Sequence, residues 1–173
     1  MTSPTRVLEA ATLLLLVATA APAADLTPAQ TASLPPAVRR AFAKQGLEKS
    51  YAVASQLNPF YVQGDFNGDG HLDTAVLVKA LSSGKTGIAV VHAGADHAVI
   101  VGGGTPIPGA QGADSVDWMD AWYGYAKGPV KAGLAKTKPP VLRGDALHVE
   151  KTESASAIIY WDGSKYQWYQ LGD

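Results

Sequence analysis

The chain has 173 residues, which suits one domain with a real core better than two small ones. With 47% hydrophobic and 17% charged residues it falls outside the disordered class, and a net charge of −1 gives no global pull toward nucleic acid or an anionic membrane. The absence of cysteine excludes disulfides, zinc–thiolate centres and cysteine nucleophiles, and 18 glycines with 11 prolines favour short strands joined by many turns.

In chain order, the first feature is an export pattern. Arg6 supplies a thin basic region, Ala10–Ala20 a short apolar stretch, and Ala21-Pro22-Ala23 a small-residue cleavage pattern. Residues 1–23 are therefore expected to be a signal peptide, and 24–173 a single mature domain in the periplasm or outside the cell. The rival reading is an uncleaved anchor. Glu9 and Pro22 bracket fewer apolar residues than the roughly 20 a spanning helix needs, and nothing later is long enough.

Thr27-Pro28 reads as a helix start, with a short turn to Ser33. A second helix begins at Pro35-Pro36. Val38, Ala41 and Phe42 share one face, Arg39, Arg40 and Lys44 fall largely on the others, and Gly46 is placed as a stop. From Tyr51 the period shortens to that of strands. These are expected at Tyr51–Leu57, Phe60–Gln63, Thr74–Lys79, Thr86–His92 and His97–Val101, followed by a glycine- and proline-rich loop to about Gly112. Asp117–Tyr125 fits either a helix or a strand, with Tyr123-Gly124-Tyr125 favouring strand. Two hairpins close the chain: Val141–Arg143 with Ala146–Glu150 across Gly144-Asp145, and Ser156–Trp161 with Tyr166–Gln170. Strands following strands through short connections predict an α+β, mainly β domain, largely antiparallel, with one or two N-terminal helices packed on the sheet.

Between the second and third expected strands lies Gly64-Asp65-Phe66-Asn67-Gly68-Asp69-Gly70-His71-Leu72-Asp73, which contains D-x-N-x-D-G-x-x-D. Calcium takes six to eight oxygen ligands, and side chains at positions 1, 3 and 5 of a tight turn can face one centre. Those positions are Asp65, Asn67 and Asp69. Gly70 at position 6 permits the sharp turn, His71 at position 7 offers its carbonyl, and Asp73 at position 9 closes the shell. Three carboxylates within about 5 Å repel by roughly 3 kcal/mol per pair at an effective dielectric of about 20, a cost that a bound cation removes. A plain turn rich in Asp, Asn and Gly is the simpler alternative. Position 12 is Val76 instead of the bidentate glutamate of an EF-hand, and strands, not helices, flank the loop.

The string GDFNGDGHLDTAVL, residues 64–77, resembles the calcium loops of FG-GAP and VCBS repeats. The resemblance implies side-chain ligands at Asp65, Asn67, Asp69 and Asp73, and a backbone ligand at His71. It covers about fifteen residues in a single copy, without the Phe-Gly…Gly-Ala-Pro pairing and without chain enough for a propeller. The ion and its ligands carry over; the propeller and integrin-like adhesion do not.

The last third holds an aromatic set, Trp118, Trp122, Tyr123, Tyr125, Tyr160, Trp161, Tyr166, Trp168 and Tyr169, near Asp114, Asp117 and Asp120. Core and rim is one reading. A surface for glycan, cell-wall material or a protein partner is the second, and a small hydrolase using Asp117 or Asp120 the third. No nucleophile has an obvious base, so the sequence leans away from an enzyme. Gly84-Lys85-Thr86 lacks the preceding glycine of a phosphate loop, and Ser82-x-x-Lys85 shares its lysine with Lys85-Thr86-Gly87, unlike the separate elements of penicillin-binding enzymes. Arg143-Gly144-Asp145 matches an adhesion tripeptide but reads as a turn, and the four histidines show no metal-ligand spacing. Calcium binding with a structural ion is the function expected from sequence.

Overall fold

The computed structural model describes residues 28–133 and 137–172. Both the proposed signal segment and Thr27 lie outside them. The described chain is α+β and mainly β, with 38% strand and 13% helix. After α1 (Pro28–Ser33) and α2 (Pro36–Gln45) comes a 3-10 turn at Leu47–Lys49, then nine strands. These are β1 (Tyr51–Val53), β2 (Tyr61–Gly64), β3 (Asp73–Ala80), β4 (Thr86–Val91), β5 (Ala98–Gly102), β6 (Ala121–Tyr125), β7 (Ala146–Lys151), β8 (Ala155–Trp161) and β9 (Tyr166–Gly172). Every pairing is antiparallel. No helix of the described residues is long and apolar enough to cross a membrane.

The strands form two sheets. In the first, β3, β4 and β5 lie side by side, and β1 and β2 share the other edge of β3. The second is the meander β6-β7-β8-β9. Alternation sends Ala75, Leu77, Ile88 and Val90 of the first sheet against Trp122, Leu147, Val149, Ala157 and Ile159 of the second. The opposite face of the first sheet, Val76, Val78, Ala89 and Val91, receives Val38, Ala41 and Phe42 from α2. Strands β3 and β4 are thus covered on both faces, which is why TAVLV and GIAVV read as unbroken apolar runs. Burying each large aliphatic side chain there contributes about 1.5–3 kcal/mol.

Helix α2 ends as its sequence requires. Gly46 adopts the left-handed conformation (φ 63°), and its N–H reaches the carbonyls of Ala43 and Phe42. The preceding residue, Gln45, reaches across to β5: its Oε1 accepts the Ala98 N–H at 2.6 Å, and its Nε2 donates to the Ala98 carbonyl at 3.3 Å.

Two expectations need correction, and one open alternative is decided in favour of strand. The first strand stops at Val53, because the chain loops out and returns to β3 only at β2. The Ala54 N–H donates to the Leu77 carbonyl and the Leu77 N–H to that of Phe60, closing the gap, while the Trp122 indole donates to the Pro59 carbonyl at 2.6 Å. Asp117–Tyr125 is strand only from Ala121. Val141–Arg143 does not pair with β7: Val141 makes an isolated bridge with Pro129, and β7 runs between β6 and β8. Gly144 and Asp145 turn no hairpin; they are docked on the start of the acidic loop.

The outer face of the second sheet carries a stack of rings. His148 lies on Tyr123 with centroids 4.5 Å apart, and on Tyr125 at 6.3 Å. Its Nδ1 is buried without a hydrogen-bond partner, 3.7 Å from Glu150 Oε2. Burial pushes the His148 pKa below its ordinary value, and the Glu150 charge opposes this less strongly. A depressed histidine pKa gives stability that is present above the unfolded value of 6.5 and is lost as pH falls through the folded value. His148 is therefore expected to lower the melting temperature on acidification from pH 7 to 5, while the raised Asp73 pKa acts in the opposite direction. His148→Phe, which keeps the ring stack and removes the titrating group, should flatten that decline in a pH series of thermal melts. It should also add about 1 kcal/mol at neutral pH by deleting an unpaired buried nitrogen.

Candidate functional site

The acidic loop joins β2 to β3, so it is a strand–loop–strand unit that starts at the Gly64–Asp73 pair. Its second residue points inward. Phe66 is fully buried in the core between the sheets, beside Gly64, where an added Cβ would meet the ring at 2.9 Å. The turn is made by Gly68 (φ 81°) and Gly70 (φ 84°), backbone that L side chains rarely adopt.

Around this turn the side chains gather backbone donors. Asp65 Oδ1 accepts the N–H groups of Gly68 (2.8 Å) and Asp69 (3.0 Å), and its Oδ2 accepts that of Gly70 (3.0 Å). Asn67 Oδ1 accepts the Asp69 N–H at 2.9 Å, and its Nδ2 donates to Asp69 Oδ2 at 2.9 Å. Asp69 Oδ1 accepts the His71 N–H at 2.8 Å. The Asn67 side-chain bond, followed by that backbone bond, lowers the Asp69 pKa.

Asp73 behaves differently. It is fully buried, with Oδ2 accepting from Phe66 (2.9 Å) and Asn67 (3.2 Å), and Oδ1 accepting from Ala93 (2.8 Å) in the turn after β4. Burial raises its pKa, outweighing the Ala93, Asn67 and Phe66 bonds and the nearby His92. His92 in turn meets the Tyr166 hydroxyl at 2.8 Å, which ties this end of the first sheet to the second.

The donor chemistry of the loop suits a hard cation. Asp65, Asn67, Asp69, the His71 carbonyl and Asp73 offer only oxygen, with three carboxylates among them. Among the described residues, the ion pairs join Lys44 to Asp96, Lys85 to Asp114 and Lys151 to Asp120, and His148 would pair with Glu150 only when protonated. None reaches Asp65, Asp69 or Asp73. In the arrangement observed, however, no three acidic or histidine side chains of the described residues converge at metal-ligand distance. The Asn67 amide lies against Asp69, and both oxygens of Asp73 serve backbone N–H groups. Each carboxylate oxygen can accept twice, so Asp65 Oδ2, Asp73 Oδ1 and both Asp69 oxygens keep spare capacity.

No protein-family model, curated protein or solved structure matches the chain. The reading of the loop rests on its own residues.

The other sequence candidates are committed elsewhere. Asp117 Oδ1 accepts the Thr86 N–H at 2.8 Å, and Asp120 accepts the Thr152 N–H and hydroxyl while pairing with Lys151. The Thr152 N–H, then Lys151 and the Thr152 hydroxyl, pull the Asp120 pKa down to about 2, far from that of a general acid. All four tryptophans pack in or against the core between the sheets, whereas Tyr123 is exposed and Tyr125 and Tyr160 lie on the outer side. The adhesion-like tripeptide is not presented as a unit. Gly144 is buried, the Arg143 Nε donates to the Asp162 carbonyl, and the Asp145 carboxylate accepts N–H groups of Asp65 and Lys127.

Sequence reading missed two residues that build the loop. Phe66 carried a signal, since a lone aromatic between acidic and small residues is a natural core plug. Asp145 carried none, because its partner stands 80 positions away.

Proposed function

We propose that the Asp65–Asp73 loop is a structural calcium site in a protein that works in the periplasm or outside the cell. The observation that carries this reading is a tight turn with three carboxylates and no lysine or arginine counter-ion among the described residues. Asp65, Asn67, Asp69 and Asp73 supply side-chain oxygen and His71 its carbonyl, the set expected from the FG-GAP and VCBS resemblance. Bound calcium supplies charge neutralisation. The chain's own residues do the rest: Asp65 organises the turn through three N–H groups, Phe66 roots it in the core, and Asp73 joins it to β4. The Asn67 amide now lying against Asp69 is the group that a cation must displace.

Without a twelfth-position glutamate, the affinity falls in the range of extracellular modules, on the order of 10⁻⁵ to 10⁻³ M. At free calcium about tenfold above Kd, linkage stabilises the fold by roughly 1.4 kcal/mol. That corresponds to a rise in melting temperature of about 3–6 °C for a chain of this size. Differential scanning fluorimetry with calcium, then with excess chelator, checks it. An unchanged transition in calcium, manganese and magnesium would sink the site. The export reading stands or falls separately, with the N-terminal sequence of the protein recovered from its native host.

A further inference from the structure

The first residue of the acidic loop is held from outside the loop. The Asp65 N–H donates to Asp145 Oδ2 at 3.1 Å, and the Asp145 N–H donates back to the Asp65 carbonyl at 2.6 Å. The other carboxylate oxygen of Asp145 accepts the Lys127 N–H at 2.9 Å. One side chain therefore fastens the chain leaving β6, the chain entering β7 and the start of the loop. Shape reinforces the contact. A Cβ on Gly144 would stand 2.1 Å from the Asp65 carbonyl oxygen and 2.6 Å from the Gly68 nitrogen. A Cβ on Gly68 would stand 2.5 Å from the Arg143 carbonyl oxygen.

We propose that Asp145 is a positioning residue for the cation, and that loop occupancy is transmitted through it to the second sheet. The proposal rests on the reading of the loop as a calcium site. Asp65 can aim a carboxylate oxygen at an ion only from a fixed backbone, because the same carboxylate also gathers three loop N–H groups. Asp145 and Gly144 fix that backbone. Groups of this kind, one step removed from the ligands, commonly change metal affinity 10- to 100-fold when lost. Coupling is reciprocal: if Asp145 favours the ion-binding arrangement, the ion favours the docked Arg143–Asp145 corner.

The test is isothermal titration of calcium into the chelator-stripped full chain, for the wild type, Asp145→Ala and Ile159→Val. Asp145→Ala is expected to raise the calcium Kd about tenfold or more. Ile159→Val, a core change in the second sheet, should lower the melting temperature and leave Kd unchanged. Asp145→Asn, which keeps one acceptor, should fall between wild type and alanine, and it serves if the alanine variant fails to fold. Calcium should also slow hydrogen exchange at the Asp145 and Lys127 amides of the wild type. Calcium binding to the wild type with equal Kd in both Asp145 variants overturns the coupling and leaves the site standing. The same holds if Ile159→Val shifts Kd as much as they do. If the wild type binds no calcium, site and coupling both fall.

Discussion

Phe66→Ala is expected to lower the unfolding free energy by about 3–5 kcal/mol. The side chain is fully buried among the residues that join the two sheets, and it enters that core from the second position of the loop. Alanine leaves a cavity where neither β2 nor β3 can follow, because Gly64 is paired with Asp73. Two N–H groups bound by Asp73, those of Phe66 and Asn67, lie at the same point of the chain, so loosening the ring loosens them too. Urea denaturation in excess chelator measures the loss without any contribution from a metal. A loss below about 1 kcal/mol would mean that the loop is not rooted in the core.

The second large effect is expected at Gly144. A methyl group there would collide with the carbonyl of Asp65 and the backbone of Gly68. Both obstacles are backbone, so the corner must lift away, breaking the reciprocal Asp65–Asp145 bonds. Gly144→Ala should cost about 2–4 kcal/mol, at the upper end of overpacking changes. Gly70→Ala is the informative contrast. Nothing lies within 4 Å of its missing Cβ, but its φ is 84°. It should therefore cost only about 1–2 kcal/mol, the penalty of left-handed backbone for an L residue. Equal losses in the two variants would show that crowding at the corner is not what makes Gly144 necessary.

Much of this architecture is legible locally. Helix α2 follows from three apolar residues at helical spacing and a terminal glycine, and it ends where Gly46 dictates. Strands β3 and β4 follow from apolar runs bounded by turn residues. The loop could be located to the residue because its spacing lies within one short segment.

What failed to show in the sequence depends on distant partners. Val141–Arg143 looks like half of a hairpin because Gly-Asp is a favoured turn pair. No local pattern reveals that Gly144 is pressed against a carbonyl nearly 80 residues earlier. The aromatic set illustrates the same boundary. Alternation correctly separates Trp122 from Tyr123, yet it does not say which face is inside. That is decided by the first sheet, whose Leu77 and Ile88 join the same core as the indole. The ambiguous start of β6 was resolved likewise, since Asp120 is drawn to Thr152 and Lys151 at the far end of the adjoining strand pair.

The bond pair between Gln45 and Ala98 has a consequence for life at high concentration. A strand at the border of a sheet offers its free N–H and C=O groups as a template on which a second molecule can polymerise. The Gln45 amide presents to β5 the same donor and acceptor that another backbone would, and it does so from a helix that cannot be extended into a strand partner. On the opposite border, the excursion between β1 and β2 interrupts the row before it is long enough to recruit a neighbour. In a chain without cysteine, the first sheet thus has one border capped at Ala98 by a glutamine and the other broken by a detour of the chain.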